Sequence, residues 1–171
     1  MNIALTGSSG LIGSHLLKDL KMMKHNVFCI SSSTSSRANN IYSYQDTLAG
    51  KILEPIDCII HLASINSEMK ELDIALEGAI TEKIIKMMRV MNCKKIIFFS
   101  TAKVYGDNSF NDQCFSETAI LNPLCAYSKA KILCESLISE SAKVTPFNYL
   151  IFRMPPLLIN HPNSNIGKLF K

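Results

Sequence analysis

The chain has 171 residues, of which 47% are hydrophobic and 19% charged, and its formal net charge is +4. A chain of this length and apolar content can bury one core, which excludes an intrinsically disordered protein. The small excess of positive charge is spread along the chain, so we expect no nucleic-acid partner.

The six cysteines form no C-x-x-C pair, and Cys29, Cys58 and Cys93 lie in or beside apolar runs. We interpret these three as core residues in a reducing compartment, and we expect no metal site. The N-terminal MNIALTG lacks the pattern of a signal peptide, and no stretch approaches the roughly 18 apolar residues of a membrane span. We therefore expect a cytoplasmic protein without a membrane partner.

Short apolar runs alternate with longer segments of helical periodicity, which is typical of a parallel sheet covered by helices on both faces. The predicted strands, the third being the weakest, are residues 3–6, 27–31, 41–44, 58–62, 95–100 and 149–152. The pattern predicts a doubly wound α/β fold of the Rossmann type.

Three helices are predicted between these strands. The first covers 11–23, and the third covers 127–141 with Leu133 and Leu137 facing inward. The second is marked by an apolar stripe that we assign to core packing, formed by Leu76, Ile80, Ile84, Met88 and Met91. The irregular segment 106–123 is long for a compact domain, and loops of that length are usually functional.

The segment TGSSGLIGSHL, residues 6–16, joins the first strand to the first helix and contains Gly7, Gly10 and Gly13. Glycines at this spacing serve a tight turn, a close approach of the backbone to a pyrophosphate, and close packing of helix on strand. The helix N-terminus adds free N–H groups and a positive dipole end. The segment predicts a dinucleotide-binding loop, and an ordinary Gly/Ser turn is the alternative.

Four further motifs follow the glycine loop in order: DCIIHLAS at 57–64, KKIIFFSTAKVYG at 94–106, YSKAK at 127–131 and FRMPP at 152–156. Together with G-x-x-G-x-x-G, they resemble the extended short-chain dehydrogenase/reductase family, in its NAD-dependent epimerase/dehydratase branch acting on nucleotide sugars. The resemblance covers essentially the whole chain. It implies a nicotinamide cofactor and a nucleotide-sugar substrate.

The second strand bears on the choice of cofactor. An acid about 20 positions past the glycines usually holds the ribose 2′-hydroxyl, but this strand ends in Ser31, with Ser32 and then Arg37 beyond it. Hydroxyls and an arginine suit a 2′-phosphate better, so NADP is slightly favoured over NAD. Whether Arg37 is instead a solvated loop residue stays open. The residues assigned to the cofactor are Gly7, Ser9, Gly10, Leu11, Ile12, Gly13, Ser31, Ser32, Arg37, Leu62, Ala63, Ser64, Ser100, Tyr127, Lys131 and Pro155.

The resemblance assigns catalysis to Thr101, Tyr127 and Lys131. The Thr101 hydroxyl would bond the reacting sugar oxygen, and the Tyr127 phenol would exchange a proton with it. A free tyrosine has a pKa near 10, and Lys131 together with an oxidised nicotinamide is expected to lower the pKa of Tyr127. A helix-start aromatic and a surface lysine are the alternative interpretation.

Other residues of the motifs are expected to serve structure. His61 would be a structural strand-end histidine, Tyr105 would pack, and Arg153 would form an ion pair after the last strand. Lys129 is expected to face solvent.

The chain departs from the family pattern in three places. Glu77 stands where the family usually has an asparagine that touches the cofactor, and Pro155 and Pro156 stand where polar substrate groups are expected. The chain ends at Lys171, whereas family members are about twice as long, so we expect a fragment. We assign 1–153 to the cofactor domain and 154–171 to the beginning of a substrate lobe.

The leading hypothesis is an NAD(P)-dependent UDP-sugar 4-epimerase of polysaccharide biosynthesis. We favour it over a dehydratase because STAKVYG lacks the acidic pair that a dehydratase usually has beside the catalytic threonine. An NADPH-dependent sugar reductase and a non-catalytic dinucleotide-binding or sensing module are the alternatives. A homodimer through helices near 80–91 and 127–141 is possible.

Overall fold

The structure, a computed structural model, describes residues 1–32, 40–65, 68–106 and 115–156. The strands in these ranges are β1 Asn2–Thr6, β2 Asn26–Ser31, β3 Ile41–Ser43, β4 Cys58–His61, β5 Lys95–Thr101 and β6 Asn148–Met154. The helices are α1 Leu11–Met22, α2 Tyr44–Leu48, α3 Asp73–Val90 and α4 Ala126–Val144, with a 3₁₀ turn over Ala102–Tyr105. Every predicted strand and helix is confirmed, with bounds that differ by a few residues, whereas α2 and the 3₁₀ turn are too short for periodicity to reveal.

The strands form one six-stranded sheet in the order β3-β2-β1-β4-β5-β6, and every neighbouring pair is parallel. The order reverses direction between β1 and β4. In a doubly wound sheet such a reversal leaves a crevice at the carboxyl ends of the two strands, because the helices that follow them go to opposite faces. The fold is therefore the predicted Rossmann type.

The two faces of the sheet have separate cores. Ile3 and Leu5 of β1 pack with Leu16, Leu17 and Leu20 of α1 on one face. On the other face, the strand residues Ala4, Phe28, Ile59 and Phe98 form a core with residues of α3 and α4, among them Ile84, Met88 and Ile138. Because both faces are covered over β1, β2 and β4, these strands read as continuous apolar runs rather than alternating ones, whereas β6 is largely exposed.

One expectation about α3 is wrong. Ile84, Met88 and Met91 are buried, but Leu76 is 54% exposed and Ile80 is only partly buried. A helix turns once in about 3.6 residues, so positions four apart drift by about 40° at each step. A stripe drawn at four-residue spacing over several turns therefore leaves the buried face. Leu133 and Leu137 of α4 are partly buried.

Most of the cysteines that the structure describes are core residues. Cys29, Cys58 and Cys93 are buried, as expected, and Cys134 is buried as well, whereas Cys125 is exposed. None of the helices within the described ranges combines the length and the apolar character needed to cross a bilayer.

Candidate functional site

A cavity of about 410 Å³ opens at the carboxyl edge of the sheet, beyond the ends of β1, β4 and β5. Its size is ordinary for a small-molecule site. Many of the predicted site residues line it, namely Gly7, Gly10, Leu11, Ile12, Gly13, Leu62, Ser64, Ser100, Thr101, Tyr127, Lys131 and Pro155. The cavity thus brings together the glycine loop and the three predicted catalytic residues.

Some predicted cofactor residues do not line this cavity. Ser9 belongs to the glycine turn, while Ser31 and Ser32 lie at the carboxyl end of β2. The Ala63 amide donates to Thr6 Oγ1 at 3.1 Å, so Ala63 supports the turn from behind. Arg37 falls outside the described residues.

Sequence reasoning missed Phe99, Lys103, Met154 and Pro156, which also line the cavity. Lys103 is the one that a signal could have revealed. It is an exposed cation that follows the end of β5 directly, inside the motif STAKVYG. Strand ends of this kind collect at the ligand-binding edge of a parallel sheet.

The glycine turn requires glycine for two different reasons. Gly7 has a φ of 71°, and a Cβ there would lie 2.6 Å from the Ala63 nitrogen. A Cβ on Gly13 would lie 2.0 Å from the Gly7 oxygen. Gly7 therefore allows the turn to pack against the chain after β4, and Gly13 allows α1 to pack against the turn.

The N-terminus of α1 is suited to an anion. The helix follows Gly10, has no side-chain cap, and has no acidic residue in its first turn. Its first N–H groups and its positive dipole end therefore remain available at the cavity wall. The turn and helix fit the pyrophosphate of a dinucleotide.

Thr6 and His61 form a buried network behind the turn. Thr6 Oγ1 accepts hydrogen bonds from the Leu62 and Ala63 amides, and it lies 2.8 Å from His61 Nδ1. With both lone pairs in use, the hydroxyl proton is directed at Nδ1, which indicates a neutral imidazole. Burial, with a contribution from Lys131, lowers the pKa of His61 to about 3. The expected structural role of His61 fits this geometry.

Ser64 follows β4 and lines the cavity. Among the described residues, its Oγ is the buried side-chain oxygen or nitrogen that has no hydrogen-bond partner. A buried hydroxyl without a partner is costly in free energy. Its position at the cavity wall is therefore suited to a ligand that supplies the missing hydrogen bond.

The motif YSKAK begins α4 and places Tyr127 and Lys131 one helical turn apart. Lys131 Nζ lies 5.6 Å from the centre of the Tyr127 ring and 5.0 Å from that of Phe98. It also donates to Glu77 Oε1 at 3.1 Å, and Glu77 Oε2 accepts from the Ile65 amide at 3.0 Å. The Lys131–Glu77 pair is almost wholly buried, with side chains 3% and 2% exposed.

The pKa of Tyr127 is raised in this structure, so the lowering expected from Lys131 together with an oxidised nicotinamide stays a prediction. Burial raises the pKa of Tyr127, and the carboxylate of Glu77 raises it further. The expectation counted on the charge of Lys131 and on an oxidised nicotinamide. In this structure burial is the main cause of the raised pKa, and the carboxylate that pairs with Lys131 adds to it.

Thr101 ends β5 and lies at the cavity. Its Oγ1 accepts a hydrogen bond from the Lys103 amide at 3.3 Å, which caps the 3₁₀ turn. Since the hydroxyl accepts in that bond, its own proton remains available to a ligand oxygen. The neighbouring Ser100 instead donates to the buried carboxylate of Glu135.

Arg153 forms the ion pair that the sequence led us to expect. Its Nη2 lies 2.7 Å from Glu135 Oε2, and its Nη1 donates to the Tyr105 hydroxyl at 2.7 Å. Tyr105 stacks on Phe115 with ring centres 5.1 Å apart. Lys129 is exposed, as expected, and pairs with Glu71.

No group of three or more His, Cys, Asp or Glu side chains in the described part of the chain is arranged to hold a metal ion.

Known proteins resemble this chain over nearly its whole length, not only at the cavity. The sequence profile of the NAD dependent epimerase/dehydratase family matches residues 3–166. The UDP-glucose 4-epimerase of Yersinia enterocolitica is 26% identical, over 98% of this chain and 57% of its own length. The chain spans about half the length of the curated relatives it matches.

Solved structures agree in fold. The UDP-N-acetylglucosamine 4-epimerase from Bacillus cereus superposes with a TM-score of 0.82 at 19% identity, over 99% of this chain and 61% of that one. The UDP-glucuronic acid 4-epimerase from Bacillus cereus, solved with UDP-glucuronic acid and NAD, superposes with a TM-score of 0.72 at 26% identity, over 90% and 56%. With its glycine turn, its strand order and a profile match over nearly its full length, the chain belongs to the NAD dependent epimerase/dehydratase family.

Proposed function

We propose that this chain is the cofactor-binding and catalytic part of a UDP-sugar 4-epimerase. The observation that carries the proposal is that Thr101, Tyr127 and Lys131 line the same cavity as the glycine turn. A turn alone supports dinucleotide binding, whereas a threonine, a tyrosine and a lysine beside it support proton exchange on a bound alcohol. Relatives that are UDP-sugar 4-epimerases support this choice of reaction.

Each of the three side chains has a role in the proposed reaction. The dinucleotide, when bound, supplies a site that accepts hydride from carbon 4 of the sugar and returns it. Tyr127 takes the proton of the 4-hydroxyl and gives it back after the keto sugar has turned over. Thr101 donates a hydrogen bond to the same oxygen, and Lys131 fixes the ribose and the electrostatics of the phenol.

The division of labour along the chain is part of the proposal. Residues 1–153 hold the cofactor and residues 154–171 begin a substrate lobe, although β6 itself extends to Met154. A place in polysaccharide biosynthesis is part of the same proposal. A homodimer through α3 and α4 is proposed from the family resemblance alone.

The preference between NAD and NADP has support on each side. The absence of an acid after β2 favours a 2′-phosphate, whereas the family description and a relative solved with NAD favour NAD. Paired titrations of the purified chain with NAD⁺ and NADP⁺ decide the question. An affinity for NADP⁺ below that for NAD⁺ would reject the slight preference stated from sequence.

Turnover is the test of the proposed reaction. The 171-residue chain, and any longer product of its reading frame, is assayed for interconversion of UDP-glucose with UDP-galactose and of their N-acetylamino counterparts. We expect Tyr127→Phe to reduce turnover by about 10²-fold or more, because it removes the proton-exchanging group. Tyr149→Phe is the matched control, since Tyr149 is exposed on β6 and away from the cavity lining.

Two results would contradict the proposal. One is turnover that survives in Tyr127→Phe at the level of the control. The other is saturable dinucleotide binding without conversion of any sugar in the panel, which would support the non-catalytic module instead.

A further inference from the structure

A carboxylate lies beside the proposed catalytic lysine, in the interior of the protein. Glu77 is 1% exposed and lies in the second turn of α3, where it contacts α4 through Lys131. Both of its oxygens are used: Oε1 accepts from Lys131 Nζ at 3.1 Å, and Oε2 accepts from the Ile65 amide at 3.0 Å. The two hydrogen bonds fix the carboxylate between the catalytic helix and the chain that follows β4.

The pair is neutral as a unit. Isolated charges are strongly disfavoured at this depth, so a buried ammonium persists when a carboxylate balances it. An ammonium has three N–H groups, and Glu77 uses one of them. Lys131 can therefore keep its contact with Glu77 while its other N–H groups face the cavity that it lines.

Several titratable side chains interact with the Glu77–Lys131 pair. The titratable side chains that interact with the Glu77–Lys131 pair come from β4, α2 and α4: His61, Tyr44, Tyr127, Cys134. Cys125, at the start of α4, also acts on Tyr127. Of these groups, Tyr127 is the one that lines the cavity and is proposed to exchange a proton.

We propose that Glu77 is a positioning residue that fixes Lys131 and cancels its charge, so that Tyr127 keeps its proton in the free protein. The inference rests on the proposed function, because only there does the protonation of Tyr127 matter. A neutral amide at this position, as the family resemblance leads one to expect, would remove the negative charge that acts on the phenol. Direct involvement with the reacting atoms is not part of the role.

The protonation of Tyr127 can be measured without substrate or cofactor. The chain is labelled at the ring carbon that bears the tyrosine hydroxyl, and each tyrosine is titrated by nuclear magnetic resonance, with Tyr127→Phe and Tyr44→Phe assigning the signals. We expect Glu77→Gln to move the titration midpoint of Tyr127 to lower pH, because the variant removes the carboxylate charge that opposes ionisation of the phenol. Tyr149, exposed on β6, is the internal control and should not move.

A second variant tests whether the shift is specific to the charge of Glu77 or follows from neutralising any buried carboxylate. Glu135→Gln also neutralises a buried carboxylate that pairs with a cation, but that carboxylate pairs with Arg153. It should leave the Tyr127 midpoint in place. Glu77→Asp retains the charge and should keep the midpoint near that of the unaltered chain.

Two outcomes would overturn the inference. One is a folded Glu77→Gln variant with an unmoved Tyr127 midpoint. If that variant fails to fold, the unaltered chain decides: carboxyl-carbon resonances of labelled glutamates, with Glu135→Gln identifying the other buried signal, must show Glu77 ionised at neutral pH. A protonated Glu77 there is the second contrary outcome.

The result is distinguishable from failure of the proposed function. An unmoved midpoint with sugar turnover intact rejects the role of Glu77 and leaves the epimerase proposal standing. A shifted midpoint without turnover of any sugar supports the charge arrangement and rejects the epimerase.

Discussion

Two glycines of this chain share a backbone conformation but have different surroundings. Gly7 has a φ of 71° and Gly50 a φ of 70°. A Cβ on Gly7 would lie 2.6 Å from backbone, whereas the nearest atom to a Cβ on Gly50 is a Val90 methyl at 3.9 Å. The pair therefore separates the cost of left-handed backbone from the cost of steric overlap.

We expect Gly50→Ala to lower the free energy of unfolding by about 1 kcal/mol, the cost of a side chain in this backbone region. Gly7→Ala should cost about 3 kcal/mol, because the chain after β4 must also move away. Chemical denaturation of both variants measures the difference. Equal costs would contradict the assigned role of Gly7 in the turn.

His61 gives the protein a dependence on pH. Its pKa is about 3 when folded, against an ordinary value of 6.5, so the unfolded chain binds a proton over an interval where the folded chain does not. The free energy of unfolding therefore falls as pH drops through that interval, by up to about 1.4 kcal/mol per pH unit from this group, and is unaffected by it above the interval. Denaturation curves collected across the acidic range measure the slope.

The control for this slope is His61→Asn, whose side-chain oxygen can accept from Thr6 as Nδ1 does but does not titrate in this range. The slope should flatten in that variant. An unchanged slope would mean that other groups cause the acid sensitivity.

At the scale of elements, Arg153 attaches β6, which has one paired neighbour in the sheet, to α4. Its guanidinium donates to both Glu135 oxygens and to the Tyr105 hydroxyl. We expect Arg153→Lys to lower the free energy of unfolding by about 2 kcal/mol, because an ammonium keeps the charge and loses the planar, bidentate geometry. In this variant, amide hydrogen exchange should report faster opening of β6 than of β1.

The exposed pair of Lys143 and Glu140 is the comparison for that variant. Lys143→Arg should leave the denaturation midpoint where it is, since exposed pairs contribute little. A similar loss in both variants would show that the geometry at Arg153 carries no special stability.

The packing of α3 on α4 explains why Glu77 and Lys131 meet at all. Gly78 allows this close approach, since a Cβ there would lie 2.9 Å from a Leu133 methyl group. The neighbouring position, Glu77, is consequently enclosed by α4 and pairs with Lys131. The packing of α3 on α4 thus brings a carboxylate and an ammonium together at the site.

At the scale of the whole molecule, the cavity joins the chain after β1, β4, β5 and β6 with the start of α4. A ligand that binds only the folded chain stabilises it by mass action. We expect a nicotinamide dinucleotide at about 100 times its dissociation constant to add about 2.7 kcal/mol to the free energy of unfolding. Thermal denaturation with and without the dinucleotide measures the gain.

Gly13→Ala should abolish that gain, because its Cβ would overlap the Gly7 oxygen and displace α1 from the turn. Gly50→Ala, outside the cavity, should retain it. A gain that persists in Gly13→Ala would place the dinucleotide elsewhere.

Several features could be predicted from local sequence. The central strands β1, β2 and β4 appear as apolar runs because helices cover both faces of the sheet there and bury nearly every side chain. The turn is visible in the sequence at Gly7, which has a positive φ, and at Gly13, where a Cβ would overlap the Gly7 oxygen, because both are properties of the chain within a few residues. The YSKAK spacing fixed Tyr127 and Lys131 to one face of a helix for the same reason.

The tertiary structure decided which residues far apart in the chain come into contact. The Glu77–Lys131 contact spans 54 positions and the Thr6–His61 contact spans 55. Neither spacing follows from any helical or strand period, because the contacts depend on how α3 packs on α4 and how β1 pairs with β4. Local sequence therefore determined the fold and much of the wall of the cavity, while packing between distant segments placed the Glu77 carboxylate against Lys131 and raised the pKa of Tyr127.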